Sequence, residues 1–267
     1  MSVEKWMQRL YPDPSSGDLV QKFVNKLEGL ISPSDQILDL GAGAGQRNYY
    51  SFRGKVKQVV GVDLDPRVKE NPLLDEGVVA DIYELPFEDN RFDLAFAIYV
   101  LEHLQHPDRF AREISRVLRP GGHFLALTPN RYHYVSLLAA LTPTRIHRWY
   151  NRKRGRSEED TFPTYYRMNS RRTLRRQFEQ GGFNTVQLSM IEVQPNYLTF
   201  CTPAFLLGAA YERLVNSTDW LSFCRVNIIA TFRSCTRSEH KEHRANDRRD
   251  GASVVSYNQN DLPHMSA

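Results

Sequence analysis

The chain has few cysteines, no long hydrophobic run and no apolar segment near its first residue. Its 267 residues include three cysteines, Cys201, Cys224 and Cys235, which show neither Cys-x-x-Cys spacing nor a His-Cys pattern. This argues against a disulfide framework and a zinc site. No stretch reaches the length of about 18 apolar residues that spans a bilayer, and residues 1–10 lack the apolar core of a signal peptide. We therefore expect reduced thiols and a cytoplasmic location.

The most informative segment spans residues 36–45, where a short apolar run precedes alternating glycines. Residues 37–40 predict a buried strand with Asp39 near its end, and Gly41, Gly43 and Gly45 follow. A second apolar strand, at residues 59–63, ends in Asp63. A glycine loop after one strand and an acid after the next is how a doubly wound sheet holds a nucleoside, because the acid accepts hydrogen bonds from the ribose hydroxyls.

The spacing of the glycines distinguishes two nucleoside cofactors. The dinucleotide fingerprint G-x-G-x-x-G requires its third glycine at position 46, which is Gln46 in this chain. The pattern Asp39-x-Gly41-x-Gly43-x-Gly45 instead resembles motif I of the class I S-adenosylmethionine-dependent methyltransferases.

Later segments extend this resemblance. Residues 78–82, 84–87, 91–104 and 113–127 are similar, in order and spacing, to the later motifs of the methyltransferases related to the ubiquinone and menaquinone biosynthesis enzymes (methyltransferase type 11). The similarity covers roughly residues 15–130. It implies an α/β fold: a doubly wound, Rossmann-like seven-stranded sheet with an antiparallel last strand, and a helical or loop lid inserted after strand five.

This fold predicts the following organisation of the chain. Residues 1–35 form an N-terminal arm and helix, and residues 36–233 form the methyltransferase domain, with the lid at residues 131–168. Residues 234–267 are polar and aromatic-poor, which predicts a disordered tail.

Capping and turn residues predict the bounds of several elements. Ser15 or Ser16 is expected to cap the N-terminal helix, and Asn169 or Ser170 a helix that ends at Gln180. The predicted turn is at residues 119–122, and the last two strands are at residues 185–193 and 226–232.

The resemblance implies S-adenosylmethionine as the cofactor and also which residues bind it. These residues are Asp39, Gly41, Ala42, Gly43, Gly45, Asp63, Leu64, Asp81, Ile82 and Tyr99. Asp81 follows an apolar strand, where its carboxylate can accept from the adenine amino group, and Ile82 can cover one face of the ring. Asp93, at the start of strand four, is interpreted as structural.

A neutral hydroxyl acceptor would also need a general base. His103 follows strand four at the predicted cofactor edge and is the first candidate, and His133, at the start of the lid, is the second. No set of metal ligands is predicted.

Positive charge is concentrated in and beside the predicted lid. Residues 145–176 contain eleven Lys or Arg and three acids, whereas the rest of the chain has 24 basic and 28 acidic residues. The segment after strand five leaves the edge of the sheet where ligands bind. A basic lid favours an anionic acceptor, such as a phosphate, a carboxylate, a nucleic acid or a lipid surface. A solvated loop is the alternative interpretation.

The apolar segment at residues 197–215 has three interpretations. It can lie on a membrane surface, cover a greasy acceptor or pack against the edge of the sheet.

Together with these patterns, the resemblance implies an enzyme that methylates a small acceptor, either anionic or linked to a lipid or glycan, with peripheral membrane contact as a further expectation. An RNA methyltransferase that uses the basic lid and a non-catalytic S-adenosylmethionine-binding protein are the alternatives. An oxidoreductase is disfavoured by Gln46. A DNA adenine methyltransferase is disfavoured because no Asn/Asp-Pro-Pro-aromatic run follows strand four.

Overall fold

A computed structural model describes residues 1–13, 17–45, 50–141 and 163–236. Its strands are Gln36–Leu40 (β1), Gln58–Asp63 (β2), Glu76–Val79 (β3), Phe92–Ile98 (β4), Leu118–Pro129 (β5), Phe183–Ile191 (β6) and Asn227–Ser234 (β7). They form one sheet in the order β3-β2-β1-β4-β5-β7-β6. The five strands β3, β2, β1, β4 and β5 are parallel to one another, and β7 pairs antiparallel with both β5 and β6. The predicted seven-stranded sheet with an antiparallel last strand is confirmed.

The α-helices of the described residues are Val3–Leu10 (α1), Leu19–Glu28 (α2), Pro107–Val117 (α3), Tyr134–Leu141 (α4), Arg171–Gln180 (α5) and Thr202–Asn216 (α6). Short 3-10 helices span Pro66–Glu70, Leu101–His103 and Asp219–Cys224. No helix in this part of the chain is both long enough and apolar enough to cross a bilayer.

The central strands are buried on both faces, which explains the unbroken apolar run of β4. On one face, Phe110 of α3 and Phe178 of α5 pack around Phe124 of β5, with the rings of Phe124 and Phe178 stacked at 4.9 Å. On the other face, Phe23 of α2 packs against Phe96 of β4. These two layers hold the carboxyl ends of β1, β2 and β4 at one edge of the sheet.

Asp93 is a structural residue, as interpreted from the sequence. Its Oδ2 accepts a hydrogen bond from the backbone N–H of Gln36 at 2.9 Å, and its Oδ1 forms an ion pair with Arg119. The carboxylate therefore joins the starts of β1 and β4 to β5.

The predicted turn at residues 119–122 is wrong, because the structure includes these residues in β5. Gly121 has a φ of +85°, and the pairing with β4 shifts from Phe92–Leu118 to Leu94–His123. The Pro-Gly-Gly sequence therefore forms a bulge within the strand.

Other predicted bounds differ by small amounts. The last two strands begin at Phe183 and Asn227 and end at Ile191 and Ser234. Ser170 caps α5 in a capping box with Thr173, and the helix ends at Gln180, both as predicted. The expected caps Ser15 and Ser16 lie outside the described residues, and the side chain of Asp18 caps α2 by accepting from Gln21 N.

The predicted lid is described only in part. Its first portion contains α4, and its last residues return to the sheet from Pro163 onward. Residues 142–162, which carry six of the eleven basic side chains of the charged region, lie outside the described residues, as do residues 237–267 of the predicted tail.

Candidate active site

The acid that ends β2 holds the glycine loop that follows β1. Asp63 Oδ2 accepts a hydrogen bond from Gly43 N at 2.8 Å, and its Oδ1 accepts one from Asp65 N at 2.9 Å. A carboxylate offers about four acceptor positions, so positions remain for the hydroxyls of a ligand. The structure thus brings the predicted loop and the predicted ribose acid together.

The loop leaves an open face beside Asp63. Gly43 has a φ of +54°, and a Cβ added there would have only Asp63 Oδ2 within 4.0 Å. Glycine provides both the left-handed conformation and a bare backbone that a ligand can approach closely. This face is suited to a nucleoside.

The side chain of Asn71 holds the glycine loop in place through hydrogen bonds to its backbone. This residue was not predicted from the sequence. It is buried, and its side-chain N–H donates to the carbonyls of Ala42 and Gly43 at 3.1 and 3.2 Å. A Cβ at Gly45 would lie 2.2 Å from its Oδ1. Asn71 is 28 residues away from Gly43 in the sequence, outside any motif, so no local signal points to it.

Asp39 lies buried beside the same loop, with 7% of its surface exposed. Burial, and then the charge of Asp63, raise the pKa of Asp39 well above its usual range, while a hydrogen bond from Tyr50 acts in the opposite direction. Neither acid forms an ion pair within the described part of the chain. Two neighbouring carboxyl groups without a cation fit a positively charged ligand.

The remaining predicted cofactor residues form the rim of this edge. Leu64 is an apolar side chain that is 64% exposed. Asp81 is exposed and accepts from Tyr83 N at 2.9 Å, and Ile82 is half-buried. Tyr99, directly after β4, has a φ of +57°, a conformation that non-glycine residues adopt rarely and often at functional sites.

Glu102, one turn after β4, is a buried carboxyl group with 6% exposure. Thr128 Oγ1 lies 3.3 Å from Glu102 Oε2, and Asn169 Nδ2 donates to the same hydroxyl at 2.6 Å. Burial raises the pKa of Glu102 to about 7, although hydrogen bonds from its own backbone N–H and from Thr128 lower it. The group can therefore change protonation state near neutral pH.

His103 is held in one tautomer. Its Nδ1 lies 2.8 Å from the carbonyl oxygen of Pro163. A carbonyl only accepts, so Nδ1 carries a proton. The backbone carbonyl of neighbouring Glu102 accepts from the N–H groups of Tyr165 and Tyr166, which ties the end of the predicted lid to this turn.

His133 is buried at the start of α4, away from solvent. Its Nδ1 accepts from Val135 N at 3.3 Å, so the proton of a neutral ring is on Nε2, which lies 3.4 Å from Glu192 Oε2. Both partners are almost fully buried, and the ring of Tyr134 lies 4.1 Å from that of His133. These contacts favour a structural role at the helix start, and a catalytic role for His133 stays a prediction.

The family model described as "Methyltransferase domain" matches residues 5–188, which include the glycine loop, Asp63, Asp81 and the turn after β4. The chain belongs to this methyltransferase family.

Curated relatives of this methyltransferase include the ubiquinone/menaquinone biosynthesis C-methyltransferase UbiE of Ectopseudomonas mendocina. The two are 34% identical over 121 residues, 41% of this chain and 47% of the relative. The sterol 4-C-methyltransferase strm-1 of Caenorhabditis elegans is 32% identical over 42% of this chain and 38% of its own length. The chain thus spans less than half the length of these relatives.

A solved structure shows the same fold. It is a SAM-dependent methyltransferase from Methanosarcina mazei, with a TM-score of 0.55 and 16% identity over 79% of this chain and 98% of that one. The cofactor of the present chain, as a member of the methyltransferase family, is S-adenosylmethionine. The sulfonium and amino groups of this cofactor are cationic, and its ribose has two hydroxyls. The open glycine loop and the carboxyl groups of Asp39 and Asp63 fit such a ligand.

Proposed function

We propose that the protein transfers the methyl group of S-adenosylmethionine to a small acceptor that is anionic or linked to a lipid or glycan. The observation that carries methyl transfer is the edge formed by the glycine loop, Asp39 and Asp63 in a chain of the methyltransferase family. The acceptor class rests on the names of the relatives and on the exposed arginines of α5.

We assign the cofactor roles from the family resemblance and from the positions of these residues at this edge. Asp63 accepts from the ribose hydroxyls, Asp81 accepts from the adenine amino group, and Leu64 and Ile82 cover the ring. Asp39 balances the positive charge of the ligand, which would also favour the ionised form of this buried acid.

The cofactor supplies an electrophilic methyl carbon on its sulfonium when bound. The protein contributes position and exclusion of water, because holding two reactants in line supplies most of the rate in such displacements. For an acceptor that must lose a proton, His103 is the proposed base, with Nε2 as the basic nitrogen because Nδ1–H is fixed on the carbonyl of Pro163.

Two observations favour the acceptor class. One relative is named for C-methylation in ubiquinone and menaquinone biosynthesis and the other for C-methylation of a sterol, so both names point to small, apolar acceptors methylated on carbon. The exposed arginines of α5 favour an acceptor or carrier with negative charge. Incubation with methyl-labelled cofactor and fractionated cell extract tests the class directly: label in a lipid-extractable or anionic small molecule supports it. Label in RNA, or no transfer to any fraction, contradicts it.

Asp81 should affect cofactor affinity in a graded way. Asp81→Asn keeps an acceptor oxygen, whereas Asp81→Ala keeps none, so calorimetry should show weaker S-adenosylmethionine binding for the alanine variant, by roughly five- to tenfold for one lost hydrogen bond. Asp89→Ala, an exposed acid elsewhere, is the control. Equal affinity of both Asp81 variants in folded protein would place this side chain outside the adenine site.

His103→Asn should lower the turnover number by about 10²-fold or more, because general-base catalysis is worth roughly that factor. Cofactor affinity should stay unchanged, since the role of His103 is toward the acceptor. The measurement is initial rate with the labelled cofactor and the active extract fraction, beside calorimetry. The matched control is His106→Asn, an exposed histidine three residues along the chain. Full activity of His103→Asn would remove this residue as the base without affecting the cofactor assignment.

A further inference from the structure

Helix α6 buries one face and exposes an apolar stripe on the other. Phe205 and Ala209 are buried against the domain. Pro203, Leu207, Ala210 and Leu214, which we call the apolar stripe, are all exposed and recur at helical spacing. A surface helix normally carries polar residues on its solvent side, so this stripe is a candidate contact surface.

Aromatic side chains continue the exposed apolar surface at both ends of α6. Among the described residues, the three most exposed large apolar side chains are Trp220, Phe200 and Leu207, at 78, 76 and 72%. The rings of Trp220 and Phe223 lie 6.5 Å apart, and Phe223 is also exposed. All of these residues lie between positions 200 and 223.

The segment that carries Trp220 and Phe223 is firmly anchored. Asn130 at the end of β5 donates to the carbonyls of Phe223 and Arg225, each at 2.7 Å, and Tyr211 donates to Cys224 O at 2.7 Å. The exposure of these rings is therefore part of a fixed backbone geometry.

Phe223 also lines an open groove of about 1300 Å³ in which the arginines of α5 lie. Arg171 and Arg172 occupy the first turn of this helix, where the macrodipole is positive, and Arg175 and Arg176 follow them at a spacing of four. Arginines in the first turn are repelled by the positive end of the helix dipole, and arginines four residues apart repel each other. Arg172, Arg175 and Arg176 have no ion pair within the described ranges. A negatively charged partner would relieve this repulsion.

The start of α6 and the start of α5 both follow strands that end at the cofactor edge of the sheet. β6 is antiparallel to β7, which is antiparallel to β5, so β6 runs parallel to β5 and ends at the cofactor edge. Phe200 and the start of α6 follow that end, and the start of α5 follows the end of β5 by way of the lid. Exposed aliphatic and aromatic residues beside exposed arginines are the combination that binds the interface of an anionic bilayer.

We propose that the apolar stripe, Trp220, Phe223 and the arginines of α5 dock the protein on the surface of an anionic lipid bilayer. The inference rests on the proposed function for its biological purpose, which is access to a lipid-linked acceptor. Docking itself needs neither cofactor nor acceptor, so the two proposals can fail separately.

The test is co-sedimentation of the full chain with phosphatidylcholine vesicles that contain about a third phosphatidylglycerol, in the absence of cofactor. Arg172→Gln/Arg175→Gln/Arg176→Gln should reduce partitioning by roughly a hundredfold at low salt, since each basic residue near an anionic surface contributes about fivefold. Lys22→Gln/Lys69→Gln/Arg109→Gln, exposed basic residues elsewhere, removes the same charge and should retain binding.

The apolar half of the surface has its own variant. Leu207→Gln/Leu214→Gln should reduce partitioning at least tenfold at any salt concentration, whereas Leu30→Gln/Val79→Gln, with exposed apolar residues elsewhere, should not. Calorimetric S-adenosylmethionine affinity should be unchanged in all four variants. Three results would overturn the proposal. The wild type could fail to bind vesicles, or the charge control could lose as much binding as the α5 variant. Sedimentation equilibrium could also show that the wild type is a dimer and that the leucine variant dissociates it.

Discussion

Replacing Asp63 by alanine is expected to weaken S-adenosylmethionine binding by roughly 10- to 100-fold. The carboxylate accepts from Gly43 N and Asp65 N, so the substitution both removes the proposed ribose acceptor and releases the loop. Loss of hydrogen bonds to a charged group costs roughly 1–3 kcal/mol. Titration calorimetry measures the effect, and NAD should show no binding to the wild type.

Asp75→Ala is the matched control for this change. Asp75 Oδ2, like the carboxylate of Asp63, accepts from a backbone N–H, here that of Val59 at 2.8 Å, which lies at the opposite end of β2. The two substitutions should cost comparable stability, whereas only Asp63→Ala should lower cofactor affinity. Unchanged affinity in folded Asp63→Ala would refute the assignment of this residue.

The parts of the site that could be predicted are those that depend on residues close together in the sequence. Strand β1, its glycine loop and Asp63 follow from short apolar runs with glycine and acid at fixed spacing, and the hydrogen bond between Gly43 and Asp63 is a direct result of that order. The antiparallel last strand followed from the family resemblance. Both depend on signals that a single sequence contains.

The parts that could not be predicted depend on distant packing. Glu102 is buried because Tyr165 and Tyr166 return from the lid onto its turn, some 60 residues later in the chain. The burial of His133 likewise depends on Glu192 and Tyr211. For residues 197–215, composition left three interpretations open, and only the fold shows that Phe205 faces the core while Leu207 faces outward.

The same distinction explains the error at residues 119–122. Arg-Pro-Gly-Gly is typical of a turn, and Gly121 does adopt the positive φ that a turn would need. The strand continues through it because β4 on one side and β7 on the other pair with the residues that follow. The local preference is therefore expressed within the strand, as the bulge between Leu118 and His123.

Glu102→Gln is expected to make the protein more stable than the wild type at pH 8, with a smaller difference at pH 5. Burial raises the pKa of Glu102 from the ordinary 4.5 to about 7. Between these values the folded protein binds more protons than the unfolded chain, so the wild type loses stability as the pH rises through this window. Glutamine cannot ionise, and its side-chain oxygen can still accept from Thr128.

Urea unfolding at the two pH values measures the effect. The raised pKa of Glu102 corresponds to up to about 3 kcal/mol of unfolding free energy. The difference in unfolding free energy between variant and wild type should therefore be larger at pH 8 than at pH 5 by most of this amount. Glu113→Gln is the control with the opposite electrostatics. Partial burial raises the pKa of Glu113, but hydrogen bonds from Arg116 and from the backbone N–H of Leu85, together with the charge of Arg116, outweigh burial and hold this pKa below its usual range. Its destabilisation should be similar at both pH values, since Glu113 is ionised throughout. Parallel pH profiles for wild type and Glu102→Gln would mean that Glu102 ionises as readily in the folded protein as in the unfolded chain, and that water reaches this turn beneath the lid.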